Sequence, residues 1–280
     1  MSIKITVDNN FFDRYEQYPD DDIKIRIDNA FINKKLSFYP TLQLIEELYG
    51  IYQTKRSHLL YKYSGRLVDM IDYKILNNWN IIVRHELGLI KNEEIFLSKE
   101  IVEKTKKQLK DLSHEIIPDQ FNDLLERIKK EKEKWFAIYK ESQNSFQERV
   151  KNEGITIQVI SFSQFYEKNF VKEIRMNLTK DIFERARSET SKAKIDYILD
   201  NENLYPYYHT SLKVFLGIFY QQTVSGKSIN KGDFYDQFYL IYLTNLDYLV
   251  SDDKRMKELG KIVFSKSQKV ITFDELVKLV

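Results

Sequence analysis

The stretch Asp233-Phe-Tyr-Asp236, an apolar run over residues 237–244, and Tyr248-Leu-Val-Ser251-Asp252-Asp253 set carboxylates at the start of one helix and at the end of the next strand. Two further acids stand in comparable places. Asp8 ends a strand-like Ile-Lys-Ile-Thr-Val, and Glu47 lies in an apolar helical segment just after a second short strand at 35–39. Carboxylates with no thiol or imidazole among them suit a hard, oxygen-seeking divalent cation, Mg²⁺ or Mn²⁺. Four acids drawn to one place repel one another unless a cation sits among them, so a shared site would be costly without one.

Each acid also has a plain structural reading. Asp233 can cap a helix with Asp236 as a favourable acid in its first turn, worth about 1 kcal/mol. Asp252 or Asp253 can cap a helix over 254–259, Glu46 can be a solvated helix residue, and Asp8 can form a turn with Asn9 and Asn10. Glu46 competes with Glu47, Asp233 with Asp236, and Asp252 with Asp253. The metal reading explains the placement of all four acids at once, whereas the plain readings must coincide.

These side chains need a scaffold. Residues 3–7 alternate apolar and polar and meet Asp-Asn-Asn, which reads as a strand ending in a loop. Asp20-Asp21-Asp22 reads as a turn or a solvated loop. A strand over 35–39 is closed by Pro40, and Thr41 caps a helix with Leu42, Ile45, Leu48, Tyr49 and Tyr52 on a helical period. Strand, helix, strand, helix predicts a parallel sheet covered by helices. From about 92 to 200 the character changes. Residues 118–150 form one long amphipathic helix, with a helical partner at 98–112; Gly154 breaks it, 155–162 read as an extra strand or extended crossover, and 163–188 return to helix. The last eighty residues predict helices over 211–222, 236–244 and 253–259, strands at 248–250 and 261–264, and a closing strand and helix with Thr272 as cap.

The bulk numbers frame this. A chain of 280 residues with 42% hydrophobic and 14% aromatic residues can bury a large core. Cysteine is absent, which excludes disulfides, thiolate metal sites and thiol nucleophiles. No apolar run approaches the roughly 20 residues of a membrane span, so the expectation is a cytoplasmic protein without a membrane partner. Net charge is +2, so a nucleic-acid partner would need a local basic surface. Lys129, Lys130, Lys132 and Lys134 beside Trp135 offer one, though Glu126, Glu131 and Glu133 interleave and an ordinary solvated helix face fits as well. His85-Glu86 lacks the second histidine of a zinc-protease helix.

The two ends of the chain resemble the PIN-like nuclease domain family. The resemblance is carried by Thr6-Val7-Asp8-Asn9 after the first strand, Glu47-Leu48 in the helix after the second, Asp236-Gln-Phe-Tyr-Leu opening a helix, and Ser251-Asp252-Asp253 after the next strand. The tail Val270-Ile-Thr-Phe-Asp-Glu-Leu is similar to the closing strand and helix of that family. The match covers about residues 1–60 and 205–280; residues 92–200 depart from the pattern.

The resemblance implies a PIN-like three-layer αβα core of residues 1–91 and 201–280, with a central parallel sheet, interrupted by a mainly helical insertion over 92–200. It implies a metal-dependent endoribonuclease that hydrolyses phosphodiester bonds of RNA, or of single-stranded DNA in some branches. Asp8, Glu47, Asp236 and Asp253 would hold Mg²⁺ or Mn²⁺ directly or through water, with Glu46, Asp233 and Asp252 as substitutes, and Ser251 would contact a ligand carboxylate or the phosphate. The rival expectation is a non-catalytic PIN-like or helical interaction module whose acids are helix caps.

Overall fold

The computed structural model describes residues 2–280 except 73, 92–93, 153, 155–159, 227 and 265–268. Strand β1 (Ile3–Val7) runs into α1 (Asn10–Gln17) and α2 (Asp21–Ile32) before β2 (Leu36–Phe38). Then come α3 (Leu42–Ile51), α4 (Ser57–Met70), α5 (Trp79–Glu86), α6 (Lys99–Ser113) and the long α7 (Phe121–Asn152). These are followed by α8 (Phe162–Tyr166), α9 (Asn169–Arg185), α10 (Lys192–Asp200) and α11 (Pro206–Ser225). Two short helices, α12 (Lys231–Asp236) and α13 (Tyr239–Tyr242), lead to β3 (Tyr248–Val250). The chain closes with α14 (Lys254–Val263), β4 (Val270–Ile271) and α15 (Phe273–Val277).

The four strands form one all-parallel sheet in the order β2-β1-β3-β4. Ile5, Val7, Leu249 and Val250 are wholly or almost wholly buried, as strands of a parallel sheet with helices packed on it must be. The register pairs Val7 with Val250 and Val250 with Ile271. The residues that follow β1 and β3 therefore emerge side by side. The chain turns from β1 to β2 on one flank and later builds β3 on the other. The boundary between β1 and β3 is thus where the winding reverses, the place where open α/β sheets leave a crevice at their carboxyl edge.

Local chemistry sets several element ends. The Thr41 hydroxyl accepts from the Leu44 N–H, and Ser98 from Ile101 N–H. Thr272 and Glu275 form a reciprocal capping box. Glu86, at the end of α5, accepts the N–H groups of Tyr207 and Tyr208 at 3.1 and 2.7 Å and so caps α11 from a distance.

Four expectations are corrected. Asp236 ends a helix rather than opening one. Asn230 takes the Asp233 N–H at 2.8 Å and starts α12 three residues earlier than Asp233 would have. The following run 237–244 is not one helix: Phe238 through Leu243 are all buried, and only Tyr239–Tyr242 form a short helix inside the core. Residues 261–264 are not a strand; α14 runs on to Val263, with Met256, Leu259, Gly260 and Val263 forming one buried helical face. Gly260 makes that possible: a Cβ there would stand 2.7 Å from Val270 Cγ2, so helix and strand close to a distance only glycine allows. Asp20 caps α2 through the Asp22 N–H rather than forming a free turn. Of the extended segment expected over 155–162, residues 155–159 lie outside the described residues and Phe162 opens α8.

The described residues of the span 99–200 are mainly helical. Helix α7 packs against α3, α11 and α12, which brings it to the acids.

Candidate metal centre at the carboxyl edge of the sheet

Asp8 follows β1 directly, and its N–H extends the ladder to Val250 C=O at 3.2 Å. Its carboxylate accepts from the Phe11 N–H at 3.3 Å, from the Asn10 amide at 3.4 Å and from the Ser251 hydroxyl. Only 4% of Asp8 is exposed, and burial pushes its carboxyl up to about 6 against the hydrogen bonds that favour its charge.

Ser251 is the hinge between the two strands. Its hydroxyl donates to Asp8 and accepts the Asp253 N–H at 3.1 Å, so it ties the acid after β1 to the acids after β3. Asp253 caps α14 by accepting the Met256 N–H at 2.9 Å. Asp252 is held elsewhere: it accepts the Phe273 N–H at 3.2 Å and pairs with Arg14 at 2.9 Å. The ambiguity between the two resolves locally, since an aspartate tied to α1 and α15 is not the one that faces Asp236.

Asp236 is half-buried at the end of α12. Burial, with the charges of Asp8 and Asp253 added, raises its carboxyl to about 7, while Lys132 pulls it down. Asp233 is spent on an ion pair with Arg255. Glu47 accepts from Tyr239 Oη at 3.0 Å and from Gln43 Nε2 at 3.3 Å. Burial first and Asp236 second push it up to about 8. Glu46, one residue earlier, turns to another environment, a small cavity with Lys132 and Tyr235, where burial raises it to about 7.

The structure therefore gathers Asp8, Ser251 and Asp253 through hydrogen bonds, and adds Asp236 and Glu47 through mutual charge. It removes Asp233 and Asp252 from the group and sets Glu46 beside it. Three participants are not among the residues the sequence reading assigns to this site. Fully buried Tyr239 stands among Glu47, Asp8 and Asp236, whose charges join burial in raising its hydroxyl well above the usual range. Gln43, one helical turn before Glu47, also donates to Tyr235 C=O at 2.9 Å and clamps α3 to α12. The (i, i+4) spacing of Gln43 and Glu47 is a signal that could have found it. Lys132 reaches the acids from α7 and had only a solvated charge run to mark it.

All the donors here are oxygens, which suits Mg²⁺ or Mn²⁺. Among the described residues, no three acidic or histidine side chains converge closely enough to hold one ion by themselves. Mg²⁺ does not need that; it keeps several waters and is bound through one or two carboxylates. Asp8, Asp236 and Asp253 fit such a water-rich ion, and Asp8, buried, and Asp236, half-buried, have no ion-pair partner among the described residues. No helix among the described residues is long and apolar enough to cross a membrane. No family model, curated protein or solved structure matches the chain.

Proposed function

We propose that the chain is a Mg²⁺- or Mn²⁺-dependent endoribonuclease on a PIN-like, three-layer αβα core, with residues 92–200 as a helical insertion. One observation carries the reading. Asp8 and Ser251-Asp252-Asp253 leave adjacent parallel strands at the winding reversal, and Asp236 stands close enough to feel both Asp8 and Asp253. The order of the acids along the chain supports the family assignment. A cysteine-free chain with no helix among its described residues long and apolar enough to cross a membrane fits the cytoplasm, where RNA is at hand.

A divalent cation at such a site would activate a water and offset charge on the phosphate. Asp8, Asp236 and Asp253 would hold it. Ser251 orients Asp8 by donating to it, and its acceptor role toward Asp253 fixes the loop that carries the third acid. Glu47 is steadied by Tyr239 and Gln43, and burial with the charge of Asp236 raises its carboxyl to about 8 beside the residues that would hold the ion.

The rival reading, a non-catalytic interaction module, draws on Asp8 and Asp253 each satisfying a helix N-terminus. A cleavage assay on mixed RNA and single-stranded DNA with Mg²⁺, Mn²⁺ or EDTA separates the two. The nuclease reading expects metal-dependent internal cleavage of RNA that disappears in Asp8→Asn and Asp236→Asn. Cleavage absent in the parent under all metals, or equal in parent and variants, would leave the interaction module.

A further inference from the structure

Both tryptophans of the chain stand in one cavity beside the acids. Trp79 opens α5 and Trp135 sits midway along α7; their rings lie 5.4 Å apart at 58°. Phe238 stacks flat on Trp79 at 4.4 Å and fixes that wall. The rest of the lining includes two acids, Glu46 and Glu131, two cations, Arg127 and Lys132, and Tyr235, around a volume of about 190 Å³. Lys132 Nζ lies 5.3 Å over the Tyr235 ring. Lys132 is half-buried, whereas Lys129, Lys130 and Lys134 of the same run are exposed, so one lysine of the four is turned to this cavity.

The cavity shares a wall with the candidate metal centre. Tyr235 precedes Asp236, and its carbonyl accepts from the Gln43 amide that also donates to Glu47. Sites that enclose a whole drug-sized ligand run to about 300–1,000 Å³. A space of 190 Å³ takes one ring-sized group and leaves the rest of a chain outside. An aromatic platform with two cations at its rim is the pairing that grips unpaired bases and their phosphates.

We propose that this cavity is the base-binding subsite of the nuclease site: one unpaired base of a single-stranded nucleic acid stacks on Trp135, with its phosphate beside Lys132 and Arg127. It rests on the nuclease reading for its position relative to the cut. It gives the long helix α7 a role that a bare αβα core could not supply.

The test uses the full chain in EDTA, titrated with a fluorescently labelled oligouridylate decamer and, separately, with an RNA duplex. Because Trp79 and Trp135 are the only tryptophans, emission excited beyond the tyrosine absorption band reports this cavity alone. The expected result is quenching that saturates together with the anisotropy of the decamer, and weaker binding of the duplex. Trp135→Ala should weaken decamer binding about 10- to 100-fold, and Trp135→Phe should restore most of it. Lys132→Gln, on a half-buried side chain that the core does not need, should weaken binding and lower the log–log salt slope by about one. Anisotropy that rises without quenching, or binding by Trp135→Ala and Lys132→Gln equal to the parent, would overturn the subsite. The two readings part cleanly in these data. Parent-like cleavage and binding in the variants would overturn the subsite and leave the nuclease reading. Quenching lost in the variants, with no metal-dependent cleavage in the parent, would support the subsite and overturn the nuclease reading. Absence of oligonucleotide binding in every form would overturn the subsite, while the cleavage assay decides the nuclease reading.

Discussion

Two sets of acids, one on and around α1 and one at the sheet edge, are treated by the molecule in opposite ways. Toward α2 and α4, Asp13 is paired with Arg56 and Tyr63, Glu16 with Lys62 at 2.6 Å, and Asp28 with Arg66 and Tyr15. Every carboxylate there has a cation within reach. At the sheet edge, Asp8, Glu47 and Asp236 are buried or half-buried, and no described lysine or arginine forms an ion pair with them. Their partners are hydroxyls, amides and each other. The first set reads as structure. The second is a cluster of desolvated carboxyls without ion-pair partners among the described residues, tempered only at a distance by Lys132, and such perturbed groups cluster at functional sites.

The contrast is sharpest in activity. Asp8→Asn and Asp236→Asn are expected to lower metal-dependent RNA cleavage by at least about 10²–10³-fold, the scale of losing a group that stabilises charge at the reacting centre. Asp28→Asn, which removes a carboxylate of the braced set, should leave the rate per folded molecule within about twofold. Equal losses at the two sites would erase the distinction.

Stability should move the other way. Asp28→Asn strands Arg66 and is expected to cost about 1–2 kcal/mol, read by urea unfolding. Asp8→Asn removes a buried charge and relieves Asp236. Without metal at pH 8 it should unfold no earlier than the parent and as much as about 2–5 °C later. If Asp8→Asn instead destabilises as Asp28→Asn does, Asp8 is a cap and not a ligand.

The pH dependence sharpens the same point. Asp8, Asp236 and Glu47 stand raised to about 6, 7 and 8. A raised carboxyl keeps its proton in the folded chain at a pH where the unfolded chain has lost it. The folded chain then binds more protons, and stability falls as pH rises from about 4 through those values. Metal-free parent should therefore lose melting temperature between pH 5 and pH 8, and saturating Mg²⁺ should restore part of it. A flat metal-free profile would mean that the acids are not desolvated as described.

Much of this scaffold was legible in the residues, for identifiable reasons. β1, the Thr41 and Thr272 caps and the long α7 follow from alternation, capping chemistry and a sustained helical period, all of which are local. The run 237–244 was misread because a segment buried on every side has no amphipathic phase to reveal where it turns. Residues 261–264 were misread because a short apolar stretch fits strand and helix alike until Gly260 is seen against Val270. At the site, the order of the acids was visible, but the choice between Asp252 and Asp253 rests on Arg14 and the Phe273 N–H, which are distant in sequence. Tyr239 and Lys132 join the acids only through packing.

The central claim is that the desolvated acids at the β1/β3 edge hold a divalent cation. Equilibrium Mn²⁺ binding tests it most directly, measured at pH 7 by electron paramagnetic resonance of the free ion and by calorimetry in buffers of different ionisation heat. The account predicts saturable binding to the parent with release of protons, because Glu47 and Asp236 are partly protonated there. It predicts binding weakened at least about tenfold in Asp8→Asn and in Asp236→Asn, and unchanged in Asp28→Asn. Mn²⁺ binding that is absent, or equal in all four proteins, would contradict it.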